Sequence, residues 1–128
     1  MQYISASPQD TAALGECMGR CLKGGTIICL QGDLGAGKTI LTQGIARGLK
    51  IEGAITSPTF TIMNVHSGAY ELYHFDLYRL EWEEQLEDVG FDEYIAGDGI
   101  SIIEWSDKFP GRMPETALWL NIVVLDEE

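Results

Sequence analysis

The chain has 128 residues and a mass of 14.1 kDa, the size of one domain with one core. Hydrophobic residues make up 45% and charged residues 22%, with a mean hydropathy of +0.01, which excludes disordered and collagen-like chains. Its 20 acidic residues against 8 basic ones give a net charge of −12, which argues against independent nucleic-acid binding, because phosphate backbones are gripped by Lys and Arg in excess.

No apolar run approaches the roughly 20 residues needed to cross a bilayer, and Met1-Gln2-Tyr3-Ile4 lacks the basic and apolar blocks of a secretory signal. A cytoplasmic protein without membrane contact is expected. Cys17, Cys21 and Cys29 contain no CxxC pair and are odd in number, so they read as reduced core thiols. His66 and His74 stand apart from them and from each other, and read as structural.

Ser7-Pro8-Gln9-Asp10 combines a capping serine, a proline at the first helical position and an acid in the first turn, and predicts a helix running to about Lys23. Gly24-Gly25 ends it. Thr26-Ile27-Ile28-Cys29-Leu30 is a short apolar run of the kind buried on both faces of a sheet. A glycine loop follows, and then Leu41, Ile45 and Leu49 recur every four residues, marking a helix from Lys38 until Gly53. Residues 61–66 and 70–75 flank Ser67-Gly68-Ala69, a spacing that predicts an antiparallel hairpin. Trp82 to Val89 and Phe91 to Ile95 read as short helices, Ile100 to Trp105 as a buried strand and Ala117 to Leu125 as a last strand. The expected fold is a single three-layer α/β domain over residues 1–128, with a mixed parallel and antiparallel sheet.

Gly32-Asp33-Leu34-Gly35-Ala36-Gly37-Lys38-Thr39 fits G-x-x-x-x-G-K-[ST] and lies between a buried strand and a helix, as a P-loop requires. Gly35 and Gly37 free the backbone N–H groups of residues 33–39 to converge on phosphate oxygens at a helix start. Lys38 adds a point charge for the β and γ phosphates, and the Thr39 hydroxyl is a ligand for Mg²⁺. These residues supply the local cation that an acidic chain needs to hold a nucleotide. The site also calls for a carboxylate at the end of a neighbouring strand, and both Asp76 and Glu104 qualify. One would hold the metal and the other orient or deprotonate the attacking water; the pattern does not rank them. Thr59, in Thr56-Ser57-Pro58-Thr59-Phe60, is placed to reach the γ-phosphate or its water, although an ordinary turn has the same composition. Seven acids between Glu81 and Glu93, in a stretch with no Lys or Arg between Arg79 and Lys108, form either a solvated face or a docking surface for a basic partner.

Four motifs together, Gly-Asp-Leu-Gly-Ala-Gly-Lys-Thr (32–39), Ser-Pro-Thr-Phe (57–60), His-Phe-Asp-Leu-Tyr-Arg-Leu (74–80) and Ile-Glu-Trp-Ser (103–106), closely resemble the TsaE family of small bacterial P-loop ATPases. The resemblance implies a cytoplasmic ATPase that binds the TsaD and TsaB proteins and supports threonylcarbamoyladenosine (t6A) formation in tRNA. It further implies that residues 33–39 bind ATP, that Thr39 and Glu104 ligate Mg²⁺, that Asp76 is the acid needed for hydrolysis, and that Thr59 belongs to a switch-like loop. Contact with tRNA would come only through the partners. Adenine contacts would fall near Ser7 to Thr11. Family members often carry a further strand after the segment matching Ala117 to Leu125. A small-molecule kinase and a non-hydrolytic ATP-gated assembly module are the competing readings.

Overall fold

The computed structural model describes residues 7–32, 37–52 and 62–122. Its elements are α1 (Pro8–Cys21), β1 (Ile27–Gly32), α2 (Lys38–Gly48), β2 (Met63–Ser67), β3 (Glu71–Asp76), α3 (Glu84–Asp88), α4 (Phe91–Ile95), β4 (Ile100–Glu104) and β5 (Leu118–Ile122). Two 3-10 turns, Ser106–Lys108 and Pro110–Arg112, lie between β4 and β5. The strands form one sheet in the order β2-β3-β4-β1-β5. Among the described strands the β2–β3 hairpin pair is antiparallel, and β3–β4, β4–β1 and β1–β5 run parallel. The expected mixed α/β sheet is therefore present, and the carboxyl ends of β1, β3 and β4 emerge on one edge.

The Ser7 hydroxyl caps α1 by accepting from the Asp10 N–H at 3.1 Å, as the sequence predicts. The helix ends at Cys21 rather than near Lys23, because Leu22 turns extended and packs on the core beneath. The second helix stops at Gly48, short of Gly53. Lys50 takes a left-handed φ of 64°. Its N–H donates to Arg47 O at 3.0 Å, and the Ile51 N–H donates to Ala46 O at 3.0 Å, the paired bonds of a Schellman ending built on a non-glycine residue. The hairpin tip docks there, with the Ala69 N–H donating to Leu49 O at 2.6 Å.

Strand alternation sends side chains to two cores. Ile28, Leu30, Leu72, Ile100 and Ile102 meet Leu41, Ile45 and Leu49 of α2, with Leu14 and Met18 of α1 packed alongside. On the opposite face Ile27, Cys29, Phe75 and Ile103 meet Leu86, Phe91, Phe109 and Met113, and Phe75 packs edge-to-face on Phe91 with ring centroids 5.1 Å apart. These are the three expected layers. The two long helices touch backbone to backbone: Gly15 and Gly19 of α1 lie against Gly44 and Gly48 of α2. That contact corrects the reading of the cysteines. Glycines occupy the buried face of α1, Cys17 and Cys21 project away from it and are exposed, and only Cys29 is a core thiol. Burial pushes the Cys29 thiol upward, partly offset by Ser106.

The acidic stretch lies on α3, α4 and their flanks, where Glu81, Glu83, Glu84, Glu87, Asp88, Asp92 and Glu93 are all exposed. Leu86 and Phe91 supply the buried side of the same segment. Arg112 ties the layer together by donating to Asp92 Oδ2 at 2.9 Å.

Candidate functional site

The site is built where β1, β3 and β4 end and α2 begins. Gly37 precedes α2 with a φ of 95°, a conformation that glycine adopts without the penalty a side chain would bring. Neither a side-chain cap nor an acidic residue occupies the first turn of α2, so that turn itself holds no group that offsets its positive dipole end. Thr11 of α1 lies alongside Gly37. Asp33, Leu34, Gly35 and Ala36, and likewise Thr59 with the rest of Ser57–Phe60, lie outside the described residues.

Lys38, the first residue of α2, is only 7% exposed, and Glu104, the last residue of β4, 6%. Lys38 Nζ sits 3.8 Å from Glu104 Oε1, and the other carboxylate oxygen, Oε2, is 2.6 Å from His74 Nε2. A carboxylate only accepts hydrogen bonds, so the imidazole donates through Nε2. Asp76 is in register with Glu104 across the β3–β4 pair, and Leu30 of β1 is in register with Glu104 on the other side. The half-buried Asp76 accepts from the Tyr78 N–H at Oδ1, 3.1 Å away. Thr39 is exposed, next to Lys38 on the first turn of α2. The fold thus gathers Lys38, Thr39, Asp76 and Glu104 at one edge of the sheet.

Trp105, directly after Glu104, has a left-handed φ of 63°. This is an outlier for a bulky residue and marks a place where the surroundings over-determine the backbone. Lys38 Nζ lies 5.2 Å from its ring centroid, and the ring tilts against Tyr78 with centroids 4.8 Å apart. Lys108 Nζ donates to Tyr78 O at 2.6 Å. The buried lysine is thus held between a carboxylate and an aromatic face, and that face continues to Tyr78, which is 58% exposed.

His74, which the sequence places among structural residues, contacts Glu104. Its position two residues before Asp76 on a strand was the available signal, since that spacing puts both side chains on the same sheet face as Glu104. His66 shares this face from β2. Its Nε2 is buried without a hydrogen-bond partner among the described residues, and burial together with the charge of His74 holds its pKa below the ordinary 6.5. Among the described residues no group of three His, Cys, Asp or Glu is arranged for a metal ion. No described helix is long and apolar enough to cross a membrane.

A buried strand and a helix opening on a buried lysine, with two carboxylates at the ends of adjacent parallel strands, define a mixed-sheet α/β protein whose sequence between β1 and α2 carries the P-loop pattern. The family model for "Threonylcarbamoyl adenosine biosynthesis protein TsaE" matches residues 5–128. The tRNA threonylcarbamoyladenosine biosynthesis protein TsaE of Treponema pallidum (strain Nichols) is 43% identical over 125 residues, covering 98% of this chain and 93% of the relative. The protein of the same name from Bacillus subtilis (strain 168) is 38% identical, covering 95% of this chain and 77% of the relative. The crystal structure of YdiB from Bacillus subtilis superposes with a TM-score of 0.79 at 34% identity, covering 96% of this chain and 76% of that one. The chain belongs to the TsaE family.

Proposed function

We propose that this chain is a Mg²⁺-dependent ATPase that acts in the cytoplasm with the TsaD and TsaB proteins to support threonylcarbamoyladenosine formation in tRNA. The observation that carries this reading is the buried Lys38 at the start of α2, 3.8 Å from Glu104, with Asp76 in register beside it. A structural turn has no need of a lysine buried against a carboxylate, whereas phosphoryl transfer needs a cation, a helix start and acids at strand ends together. Membership of a family named for threonylcarbamoyladenosine biosynthesis supports the pathway.

In this reading the backbone of residues 33–39 and the Lys38 ammonium hold the ATP phosphates. The residues present suit Mg²⁺, which keeps several waters and is bound by phosphates with one or two carboxylates and a hydroxyl rather than by a protein cage. Thr39 and Glu104 would hold it, with Asp76 close by. When bound, it neutralises charge on the transferring phosphoryl group. Of the two acids, Asp76 is the more open to solvent and is assigned to orienting and deprotonating the attacking water, with Thr59 contributing from its loop. The leaving group is ADP, and the water oxygen ends on inorganic phosphate.

Two arginines are already engaged: Arg20 pairs with Glu16 at 3.8 Å and Arg112 with Asp92 at 2.9 Å. Slow turnover by the isolated chain, accelerated when a partner adds a cation or orders the Thr59 loop, follows from a site that supplies a single lysine. With a net charge of −12, contact with tRNA is assigned to the partners. The test is ATP turnover with and without the TsaD–TsaB pair, for the natural chain and for Lys38→Ala. Phosphate release stimulated by the pair and abolished in Lys38→Ala is expected. Equal turnover in all four samples, or phosphate appearing on an acceptor molecule, would overturn the proposal.

A further inference from the structure

Glu104 is a buried carboxylate whose two oxygens have different partners. Oε1 faces Lys38 at 3.8 Å, beyond hydrogen-bond range, and Oε2 meets His74 Nε2 at 2.6 Å. The short contact is the one that fixes orientation, since hydrogen bonds are directional and an ion pair at the longer distance is not. His74 and Glu104 lie on neighbouring parallel strands, with His74 opposite Ile102 and Asp76 opposite Glu104. His74 is 1% exposed, and among the described residues the one hydrogen-bond partner of its imidazole is Glu104, at Nε2. A buried imidazole set 2.6 Å from a buried carboxylate makes a specific polar contact and does more than fill space.

We propose that His74 is a positioning residue for Glu104: its Nε2–H fixes the rotation of the carboxylate, so that Oε1 stays turned toward the amino end of α2. The inference rests on the ATPase reading for its catalytic consequence, but not for the pairing itself. Lys38 is the residue that nucleotide phosphates would engage, and His74 is then the fixed partner that keeps Glu104 aimed and satisfied.

The test uses His74→Leu, His74→Gln and His74→Asn. A glutamine amide nitrogen reaches the place of imidazole Nε2, and an asparagine nitrogen reaches only the place of Nδ1. With the partner pair present, His74→Leu is expected to lower kcat about tenfold or more while the KM for ATP changes less than about threefold. His74→Gln should restore kcat to within about threefold of the natural chain, and His74→Asn should not. Pairing is read separately, without nucleotide, by urea unfolding of His74→Leu, Glu104→Leu and the double variant. The loss caused by His74→Leu should shrink when Glu104 is already leucine.

Additive unfolding effects would overturn the pairing, and an unchanged kcat in His74→Leu would overturn the positioning role. Should His74→Leu fail to fold, the order of glutamine and asparagine variants decides: asparagine equal to or better than glutamine overturns the proposal. A natural chain that hydrolyses no ATP with the pair present refutes the ATPase reading instead, and the unfolding cycle still tests the couple.

Discussion

Asp76 and Glu104 are side by side on β3 and β4, in register, yet the protein surrounds them in opposite ways. Glu104 is sealed between Lys38 and His74, whereas Asp76 remains half-buried and receives a backbone N–H from Tyr78. Two acids that the sequence leaves equivalent are therefore distinguished by environment: one is a fixed charge within a buried cluster, and the other is a carboxylate with access to water.

That asymmetry predicts different consequences of neutralising them. Asp76→Asn keeps an acceptor for the Tyr78 N–H, so it should lower kcat about 100-fold with stability within about 0.5 kcal/mol of the natural chain. Glu104→Gln should also slow hydrolysis, but it leaves Lys38 buried without its counter-charge and should cost about 1–3 kcal/mol in the nucleotide-free protein. Urea unfolding alongside single-turnover hydrolysis separates the two. Equal destabilisation by both substitutions would contradict the described burial.

The contrast also shows what patterning can and cannot reveal. Continuous apolar runs predicted β1 and β4, the recurrence of Leu41, Ile45 and Leu49 predicted α2, and the capping serine predicted the start of α1, because each is a local preference written in adjacent residues. That Lys38, Thr39, Asp76 and Glu104 lie together is readable from a spaced motif and two strand ends. The His74–Glu104 bond is not, since residues thirty positions apart meet only through sheet register. The exposure of Cys17 and Cys21 was hidden for a related reason: Gly15 and Gly19 occupy the helix face that larger apolar residues would ordinarily mark. The early end of α2 depends on Lys50 adopting a conformation that its residue type does not favour.

His66 gives the fold a predictable acid sensitivity. Its folded-state pKa lies below the ordinary 6.5 because burial and the charge of His74 oppose protonation. In the window between the two values the unfolded chain binds more protons, so stability rises with pH through that window and falls on acidification. His66→Tyr should flatten this part of the stability profile below about pH 6.5. Urea midpoints measured across the acid range would check it, and an unchanged slope in the variant would assign the sensitivity to other groups.

Lys50 carries a removable strain. A left-handed φ of 64° costs a residue with a side chain roughly 1–2 kcal/mol, and glycine is the usual occupant of this position in a Schellman ending. Lys50→Gly relieves that cost while loosening the unfolded chain by about 0.4–1 kcal/mol. The expected net effect is a gain of about 0.5 kcal/mol, read as a small rise in urea midpoint without change in the slope m. A loss of stability would mean that the lysine side chain itself supports the α2 ending.

The contact of α1 with α2 makes the opposite prediction for its own glycines. A methyl group at Gly48 would overlap the Glu16 carbonyl oxygen, and one at Gly19 would overlap that of Ile45, whereas nothing lies within 4 Å of the corresponding position at Gly111. Backbone atoms cannot rotate aside as a side chain can, so Gly19→Ala and Gly48→Ala should push the helices apart and cost about 1–3 kcal/mol each. Gly111→Ala should stay within about 0.5 kcal/mol of the natural chain. The same helix pair sets Thr11 beside Gly37, so Gly44→Ala, whose added methyl would meet the Ala12 carbonyl one residue beyond Thr11, should also weaken ATP binding at temperatures where the protein remains folded. Calorimetric titration with a non-hydrolysable ATP analogue distinguishes this from simple unfolding. A Gly44→Ala protein that is less stable but binds the analogue with natural affinity would show that the helix contact supports the fold without setting the shape of the site.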